Sequence, residues 1–350
     1  MRIESLDTPV ATVDLDAVDR NIGRMQSYCD EHGLAFRPHI KTHKLPAIAH
    51  MQVRAGAVGI TCPKLGEAEV MAAAGLRDIL LTFPLVGAAK AERLAVLARD
   101  ATVSVVGDSE TVVRGLSAVL EREDAEVGFL VECDTGFRRT GVQTPDEAFA
   151  LARTAMKLPG LRFKGLMTFP NRDPDTREFF ERALALFEQA GIPVPVVSGG
   201  GTPALATVDR FPMLTEHRAG TCVYNDAMVV SSGTATWEQC AMRVRATVVS
   251  RPTDDRGVLD AGSKVLTSDL YHMKGYGHVM EYPEAHVAHL SEEHAVVDFS
   301  ACAERPKVGE VVNVVPNHCC VVTNMVDEVY GVRAGRVEVV WPVAARGRVQ

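Results

Sequence analysis

Residues 35–62 read AFRPHIKTHKLPAIAHMQVRAGAVGITC, and this stretch contains a complete strand–helix–strand unit. Residues 35–40 and 57–62 are typical of β-strands, and residues 45–54 between them are typical of a helix. The same alternation continues on both sides of the unit and favours a (β/α)8 barrel over an open sheet. The eight predicted barrel strands are residues 10–13, 35–40, 57–62, 78–83, 102–106, 127–132, 163–169 and 194–197.

The pattern changes after about Ser231, where β-type runs follow one another with few helical segments between them. A small polar stretch at residues 231–234 suits a linker. We therefore predict an α/β fold in which residues 8–232 form a (β/α)8 TIM barrel and residues 233–350 form a mostly-β domain. The predicted strands of that domain are residues 243–250, 258–260, 295–299, 311–315, 321–322 and 337–340.

Composition narrows the function classes. The 350 residues are 47% hydrophobic and 23% charged, which is the balance of a globular protein, and the net charge of -8 argues against nucleic acid and anionic membranes as partners. No signal-peptide pattern or apolar run of membrane-spanning length is found, so we expect a cytoplasmic protein. The eight scattered cysteines contain no CxxC pair, and disulfides are not expected.

Lys41 comes directly after the second predicted strand, at the end where barrel enzymes keep their active sites. A lysine that forms a Schiff base needs burial or neighbouring cations to lower its pKa, and Arg37, His39 and His43 are within a few residues. A solvated surface lysine is the alternative, and Lys44 competes for the role of reactive amine.

Two further loops follow predicted barrel strands. Ser198-Gly199-Gly200-Gly201-Thr202 follows the last strand, where backbone N–H groups of a barrel often bind phosphate, and Ala219-Gly220-Thr221 offers more donors. Asp134-Thr135-Gly136-Phe137-Arg138-Arg139-Thr140-Gly141 follows the sixth strand and offers one or two guanidinium groups. Ordinary tight turns are the alternative for both loops.

His318 and Cys320 lie two positions apart in the β-rich region. If that segment is extended, both side chains point the same way and Cys319 points the other way. Imidazole and thiolate suit Zn²⁺, and two protein ligands leave open positions, as a catalytic metal requires. A buried histidine beside two core cysteines is the alternative.

Several spaced motifs together resemble fold-type III pyridoxal-phosphate (PLP) enzymes, and in particular the D-threonine aldolase and eukaryotic-type D-serine dehydratase family. The resemblance implies an alanine-racemase-like barrel, a β-domain that residues 1–7 join, and a homodimer. The motifs are Arg37-Pro38-His39-Ile40-Lys41-Thr42-His43-Lys44, Ser198-Gly199-Gly200-Gly201-Thr202, Asp260-Ala261-Gly262-Ser263-Lys264 and Pro316-Asn317-His318-Cys319-Cys320.

The resemblance also implies roles for individual residues. Lys41 would carry PLP as a Schiff base, and Arg139 would face the phenolic oxygen of the pyridoxal ring. His318 and Cys320 match the family's metal pair, for which Zn²⁺ is preferred and Mg²⁺ or Mn²⁺ are alternatives. The implied phosphate contacts are Gly200, Gly201, Thr202, Gly220 and Thr221.

The implied activity is that of a lyase acting on β-hydroxy D-amino acids. Cys320 favours dehydration of D-serine or D-threo-3-hydroxyaspartate to a keto acid and ammonia. Retro-aldol cleavage of D-threonine to glycine and an aldehyde is the first alternative. An amino-acid racemase with Tyr271 or Tyr276 as second base is another, and a PLP carrier or a protein with a structural metal is the non-enzymatic one. Cys222 and the segment Met167-Thr168-Phe169-Pro170-Asn171 depart from the family pattern near the expected site.

Overall fold

The computed structural model describes all 350 residues, which form two compact units. The barrel unit consists of Met25–Lys41, Pro46–Gly220 and Arg348–Gln350. The β unit consists of Met1–Arg24, Thr42–Leu45 and Thr221–Gly347. The β unit thus includes more of the N-terminal region than the predicted segment 1–7.

The secondary structure alternates as the sequence predicts in the first two thirds of the chain. The strands are β1 (Val10–Asp14), β2 (Ala35–Phe36), β3 (Ile60–Cys62), β4 (Asp78–Leu81), β5 (Thr102–Gly107), β6 (Val127–Cys133), β7 (Leu161–Thr168), β8 (Val196–Gly200), β9 (Glu216–Arg218), β10 (Met242–Ser250), β11 (Arg256–Leu259), β12 (His278–Val279), β13 (His286–Leu290), β14 (Ala295–Asp298), β15 (Val311–Val315), β16 (Glu328–Arg333) and β17 (Arg336–Pro342). The helices are α1 (Leu15–Glu31), α2 (Pro46–Arg54), α3 (Leu65–Ala73), α4 (Ala88–Asp100), α5 (Glu110–Arg122), α6 (Pro145–Ala155), α7 (Asp175–Gln189), α8 (Ala227–Ser231), α9 (Ser263–Leu266) and α10 (Cys319–Met325). Five short 3₁₀ helices span Ile3–Ser5, Ile40–Thr42, Thr202–Arg210, Thr221–Val223 and Trp237–Gln239.

The barrel unit is built on an eight-stranded parallel sheet with the strand order β2-β9-β8-β7-β6-β5-β4-β3. Helices α2 to α7 connect successive strands. The two ends of this order meet at a parallel bridge between His39 and Thr61, where the Thr61 N–H donates to the Pro38 carbonyl at 2.8 Å. Strand number, direction and closure agree with the predicted (β/α)8 barrel.

Local sequence explains how the barrel elements form. Helix α6 begins with a capping box, in which Thr144 and Glu147 each accept a hydrogen bond from the other's backbone N–H. Neighbouring strands contribute one apolar side chain each to a buried cluster of Leu80, Val106, Leu130 and Met167. Burying a side chain of this size contributes about 1.5–3 kcal/mol, so the interior is a packed core rather than a pore.

The β unit is built on a nine-stranded sheet in which β13-β14-β11-β10-β1-β16-β17 form the main order and β15 joins β10 and β12. Strand β1 is antiparallel to β10, with Val10 opposite Arg245, and parallel to β16, with Thr12 opposite Tyr330. The prediction that residues 10–13 form a barrel strand is therefore wrong. The alternation of strand and helix is local, whereas the choice of sheet is decided by distant partners.

Two other strand predictions need correction. The eighth barrel strand is β9, whose three residues Glu216, His217 and Arg218 are polar and carry no hydrophobic signal. Residues 321–322, predicted as a strand, lie in helix α10. None of the helices combines the length and the apolar character needed to cross a membrane.

Candidate active site

Lys41 lies in the 3₁₀ turn that follows β2, and one aromatic ring connects it with two other predicted site residues. Lys41 Nζ is 5.9 Å from the centroid of the Phe169 ring, and Arg139 Cζ is 5.3 Å from the same ring. A Cβ atom added to Gly201 would lie 3.0 Å from Phe169 Cε2. The barrel unit therefore brings the predicted amine, guanidinium and glycine turn together around Phe169, which the sequence had indicated only as a departure from the family pattern.

The loop that carries Arg139 is shaped by Asp134. One carboxylate oxygen, Oδ1, accepts hydrogen bonds from the N–H groups of Gly136, Phe137 and Arg138 at 2.9, 2.9 and 3.0 Å. Burial alone would raise the pKa of Asp134, but these backbone hydrogen bonds hold it below its usual value. The loop is therefore fixed by a carboxylate that stays charged at neutral pH.

The glycine turn at the end of β8 requires glycine. Gly200 and Gly201 have φ angles of 124° and 123°, and a Cβ atom on Gly200 would lie 2.6 Å from the Arg218 carbonyl oxygen. This close backbone approach fits a cradle for an anion. The Gly200 N–H, however, donates to Asn171 Oδ1 at 2.9 Å, and the Gly201 N–H donates to the Arg218 carbonyl at 2.6 Å. The predicted phosphate contacts of these two glycines stay predictions that require Asn171 or that carbonyl to move.

The other predicted phosphate contacts lie at the starts of two 3₁₀ helices. Thr202 begins Thr202–Arg210, Thr221 begins Thr221–Val223, and Gly220 directly precedes the second helix. The first N–H groups of a helix have no partners within it and favour an anion. Their phosphate contacts, like those of the two glycines, stay predictions.

A buried network beneath the glycine turn was missed by the sequence analysis. Arg218 donates to Ser198 Oγ and, at 2.7 Å, to the Thr168 carbonyl. Ser198 donates to Glu216 Oε1 at 2.6 Å, and Arg37 Nε donates to Glu216 Oε2 at 2.6 Å. Burial lowers the pKa of Arg218 to about 10, which still leaves it charged at neutral pH. The network fixes a positive charge at the carboxyl ends of the barrel strands.

In the β unit, His318 directly precedes helix α10 without a capping hydrogen bond from its side chain, and Cys320 lies in the first turn of that helix. The extended segment considered for this motif is therefore incorrect, but the two side chains still meet through a hydrogen bond between them. Burial would lower the pKa of His318, whereas the Cys320 charge and hydrogen bonds to Asp226 and Cys320 raise it to about 10. That positive charge is the protonated imidazole of His318, which would have to lose a proton to bind a metal ion.

Two threonine hydroxyl groups lie near the Cys320 thiol. Its Sγ atom lies 3.2 Å from Thr42 Oγ1 and 3.9 Å from Thr221 Oγ1. The hydroxyl of Tyr224 is buried without a hydrogen-bond partner, and burial together with Cys319 and Cys320 raises its pKa well above the ordinary value. No group of three or more His, Cys, Asp and Glu side chains suited to a metal occurs in the structure. His318 and Cys320 therefore stay a predicted pair of metal ligands, which by themselves would leave open positions on an ion.

Of the two tyrosines proposed as a racemase base, Tyr271 lies beside the metal pair. Its ring centroid is 5.0 Å from that of His318, and its backbone has a φ of 50°, which is unusual for a bulky residue. Asn317 Nδ2 fixes the surrounding loop by donating to the carbonyls of Asp269 and Gly275 at 3.0 and 2.8 Å. Burial and nearby negative groups raise the pKa of Tyr271 to about 12.

The predicted Schiff-base lysine thus lies in the barrel unit, and the predicted metal pair lies in the β unit. Residues 13–227 match the model of the alanine racemase N-terminal domain, and residues 241–332 match that of a putative serine dehydratase domain. The chain belongs to the alanine racemase-like family of PLP-dependent enzymes, in the branch of the lyases.

The similar proteins include aldolases and a dehydratase. D-threonine aldolase of an Arthrobacter species is 34% identical over 98% of this chain and 93% of that protein. D-threo-3-hydroxyaspartate dehydratase of Delftia sp. (strain HT23) is 32% identical over 90% of this chain and 91% of that protein. The crystal structure of D-threonine aldolase from Filomicrobium marinum is 34% identical, covers 99% of this chain and 97% of its own, and gives a TM-score of 0.90.

Structures of dehydratase variants and of a racemase add detail. One variant of D-threo-3-hydroxyaspartate dehydratase replaces a histidine by alanine, and another, in a metal-free form, replaces a cysteine two positions further along. Both are 28% identical to this chain, with TM-scores of 0.89 and 0.88. Alanine racemase of Clostridium difficile 630 is only 12% identical at a TM-score of 0.74, so that likeness concerns the fold alone.

Proposed function

We propose that this protein is a PLP- and metal-dependent dehydratase that converts a β-hydroxy D-amino acid, D-threo-3-hydroxyaspartate or D-serine, to a keto acid and ammonia. The observation that carries the proposal is the 3.2 Å approach of Thr42 Oγ1 to Cys320 Sγ. Thr42 directly follows Lys41 in the sequence. The Cα atoms of these two residues are therefore about 3.8 Å apart. The sequence neighbour of the proposed Schiff-base lysine thus contacts one of the proposed metal ligands.

The residues of the barrel unit would bind and orient the cofactor. Lys41 Nζ would hold PLP covalently and take the proton from the substrate's α-carbon. Arg139 would orient the ring through its phenolic oxygen, and Phe169 would shield Nζ from water. Bound PLP supplies the electron sink that makes loss of the α-proton feasible. The phosphate contacts would be those that the sequence predicts, at Gly200, Gly201, Thr202, Gly220 and Thr221.

The residues of the β unit would hold the metal ion. His318 and Cys320 would bind it, and the thiol makes Zn²⁺ our first choice over Mg²⁺ and Mn²⁺ because thiolate is a soft ligand. The ion supplies Lewis acidity to the substrate's β-hydroxyl. The α C–H and β C–O bonds then break with loss of water. Hydrolysis of the released enamine returns that water and yields the keto acid and ammonia, so atoms balance without an oxidant.

Dehydration is preferred over retro-aldol cleavage because of the second metal ligand. Cys320 follows His318 at the spacing of the histidine and cysteine replaced in the dehydratase variants. The retro-aldol alternative, in which the Cα–Cβ bond breaks to give glycine and an aldehyde, is favoured by the similarity to D-threonine aldolase. The racemase alternative has only the fold in its favour.

Assembly as a homodimer stays a prediction that sedimentation can check.

The test is product analysis with purified protein supplied with PLP and Zn²⁺. The two D-substrates should give ammonia and a keto acid, whereas their L-enantiomers should give neither. Glycine and an aldehyde instead of ammonia would replace the dehydratase by the aldolase. Racemisation of an amino acid without a β-hydroxyl, insensitive to a chelator, would replace both lyases.

A further inference from the structure

Asp226 is a wholly buried carboxylate that contacts His318 of the proposed metal pair. Its Oδ2 atom accepts a hydrogen bond from His318 Nδ1 and another from the Cys319 backbone N–H, both at 3.1 Å. Its Oδ1 atom accepts from the Val229 N–H at 3.0 Å and so caps helix α8. Both carboxylate oxygens are therefore engaged with protein donors.

The backbone on either side of Asp226 reinforces this arrangement. The Ala227 N–H donates to the Pro316 carbonyl at 3.1 Å, and the Met228 N–H donates to the Asn317 carbonyl at 3.2 Å. The segment after Asp226 thus pairs with the two residues that precede His318. Sequence analysis did not find this residue because about ninety positions separate it from the motif it supports.

We propose that Asp226 is the positioning residue of the metal centre and not one of its ligands. With Nδ1 of His318 bound to Asp226, Nε2 is the ring nitrogen left for an ion. The hydrogen bond to the Cys319 N–H fixes the first turn of α10, from which Cys320 projects. A carboxylate behind a ligating histidine sets the ring's orientation and increases its basicity. This inference rests on the proposed metal centre and adds the group that orients it.

The test compares zinc affinities of the metal-free proteins by competition with a chromophoric chelator. Asp226→Ser removes the acceptor of His318, while serine, a good N-cap, still accepts from Val229. We expect zinc to bind about 10–100-fold more weakly, the usual effect of losing such a partner. Thr144→Ala is the control, because it removes a helix cap in the barrel unit and should leave zinc affinity unchanged.

A double-mutant cycle separates positioning from general structural damage. If Asp226 acts through the histidine ring, Asp226→Ser should weaken zinc binding in the wild-type protein but hardly at all in a His318→Ala background. Equal losses in both backgrounds would overturn the proposal, as would unchanged affinity in the single variant. If the serine variant does not fold, Asp226→Asn keeps the shape but has one oxygen for both acceptor roles, and the same cycle applies.

Failure of the proposed function gives a different result. A wild-type protein that binds no zinc in the competition assay removes the metal centre itself and, with it, any role for Asp226 there. A wild-type protein that binds zinc tightly, with an Asp226→Ser variant that binds it equally well, keeps the metal centre and rejects only the positioning role.

Discussion

The barrel unit and the β unit assemble their polar centres in different ways. In the barrel unit, Lys41, Arg139 and Gly201 each lie in a loop that directly follows a parallel strand, and the barrel topology brings these loops to one edge. In the β unit, His318 Nδ1 and the Cys319 N–H both donate to Asp226, which the fold brings from a distant part of the sequence. The first centre follows from strand order alone, whereas the second depends on a particular long-range pairing.

The largest expected effect concerns the amine of the barrel unit. Lys41→Arg keeps the positive charge but cannot form a Schiff base, so we expect lyase activity to fall by about 10⁴-fold or more. After borohydride reduction of the PLP-loaded protein, mass spectrometry should find the cofactor on Lys41. Lys44→Arg is the matched control. Loss of the Schiff base in the Lys44 variant, with the Lys41 variant intact, would exchange the roles of the two lysines.

The next effect concerns the metal of the β unit. Removing the ion with a chelator should lower activity by on the order of 10²–10³-fold, since a Lewis acid is worth several kcal/mol, and Zn²⁺ should restore it. The protein should stay folded, as judged by circular dichroism, because the open donor set is of the catalytic type. Unfolding on chelation would instead indicate a structural metal.

Sequence reasoning found the positions of loops whose signal is contiguous, while the roles of their residues stay predictions. The glycine turn, the lysine after β2 and the loop from Asp134 to Gly141 were each predicted from neighbouring residues that strand order then brings together. It failed where a partner is distant: β1 joined the other sheet through Arg245 and Tyr330. Strand β9 was missed because its buried residues are polar and are satisfied by the network around Glu216.

The network around Glu216 allows a test of how much buried side chains, in addition to strand order, stabilise the barrel unit. Glu216→Gln removes the buried carboxylate that Arg37 and Ser198 both contact. We expect a loss of about 3 kcal/mol in the free energy of unfolding, the lower end for a broken buried pair, because Arg37 keeps Asp78 at 2.6 Å.

The matched control for this variant is Glu69→Gln, which breaks a bidentate pair with Arg93 at the surface. That change should cost less than about 1 kcal/mol. Urea unfolding followed by circular dichroism measures both variants. Similar losses in the two would mean that the buried network adds nothing specific to the barrel unit, and that the Arg218 charge is held by the strand backbone alone.

The smallest expected effect concerns Phe169, whose ring is shared by two cations. Phe169→Leu keeps an apolar side chain but removes the ring face, and each cation–π contact is worth about 0.5–1 kcal/mol. PLP should therefore bind about 5–30-fold more weakly, measured by the dissociation constant of the cofactor. Phe137→Leu is the control, because Phe137 contacts Arg139 at 5.3 Å and packs edge-on against Phe169.

If the Phe169 ring matters because it holds Lys41 as well as Arg139, the Phe169 variant must bind PLP more weakly than the Phe137 variant. Equal losses would mean that only the arginine contact counts. Unchanged binding in both would mean that backbone loops alone arrange the barrel centre. In that case the two units would differ even more sharply, because the metal centre would be the only one that depends on a buried side-chain partner.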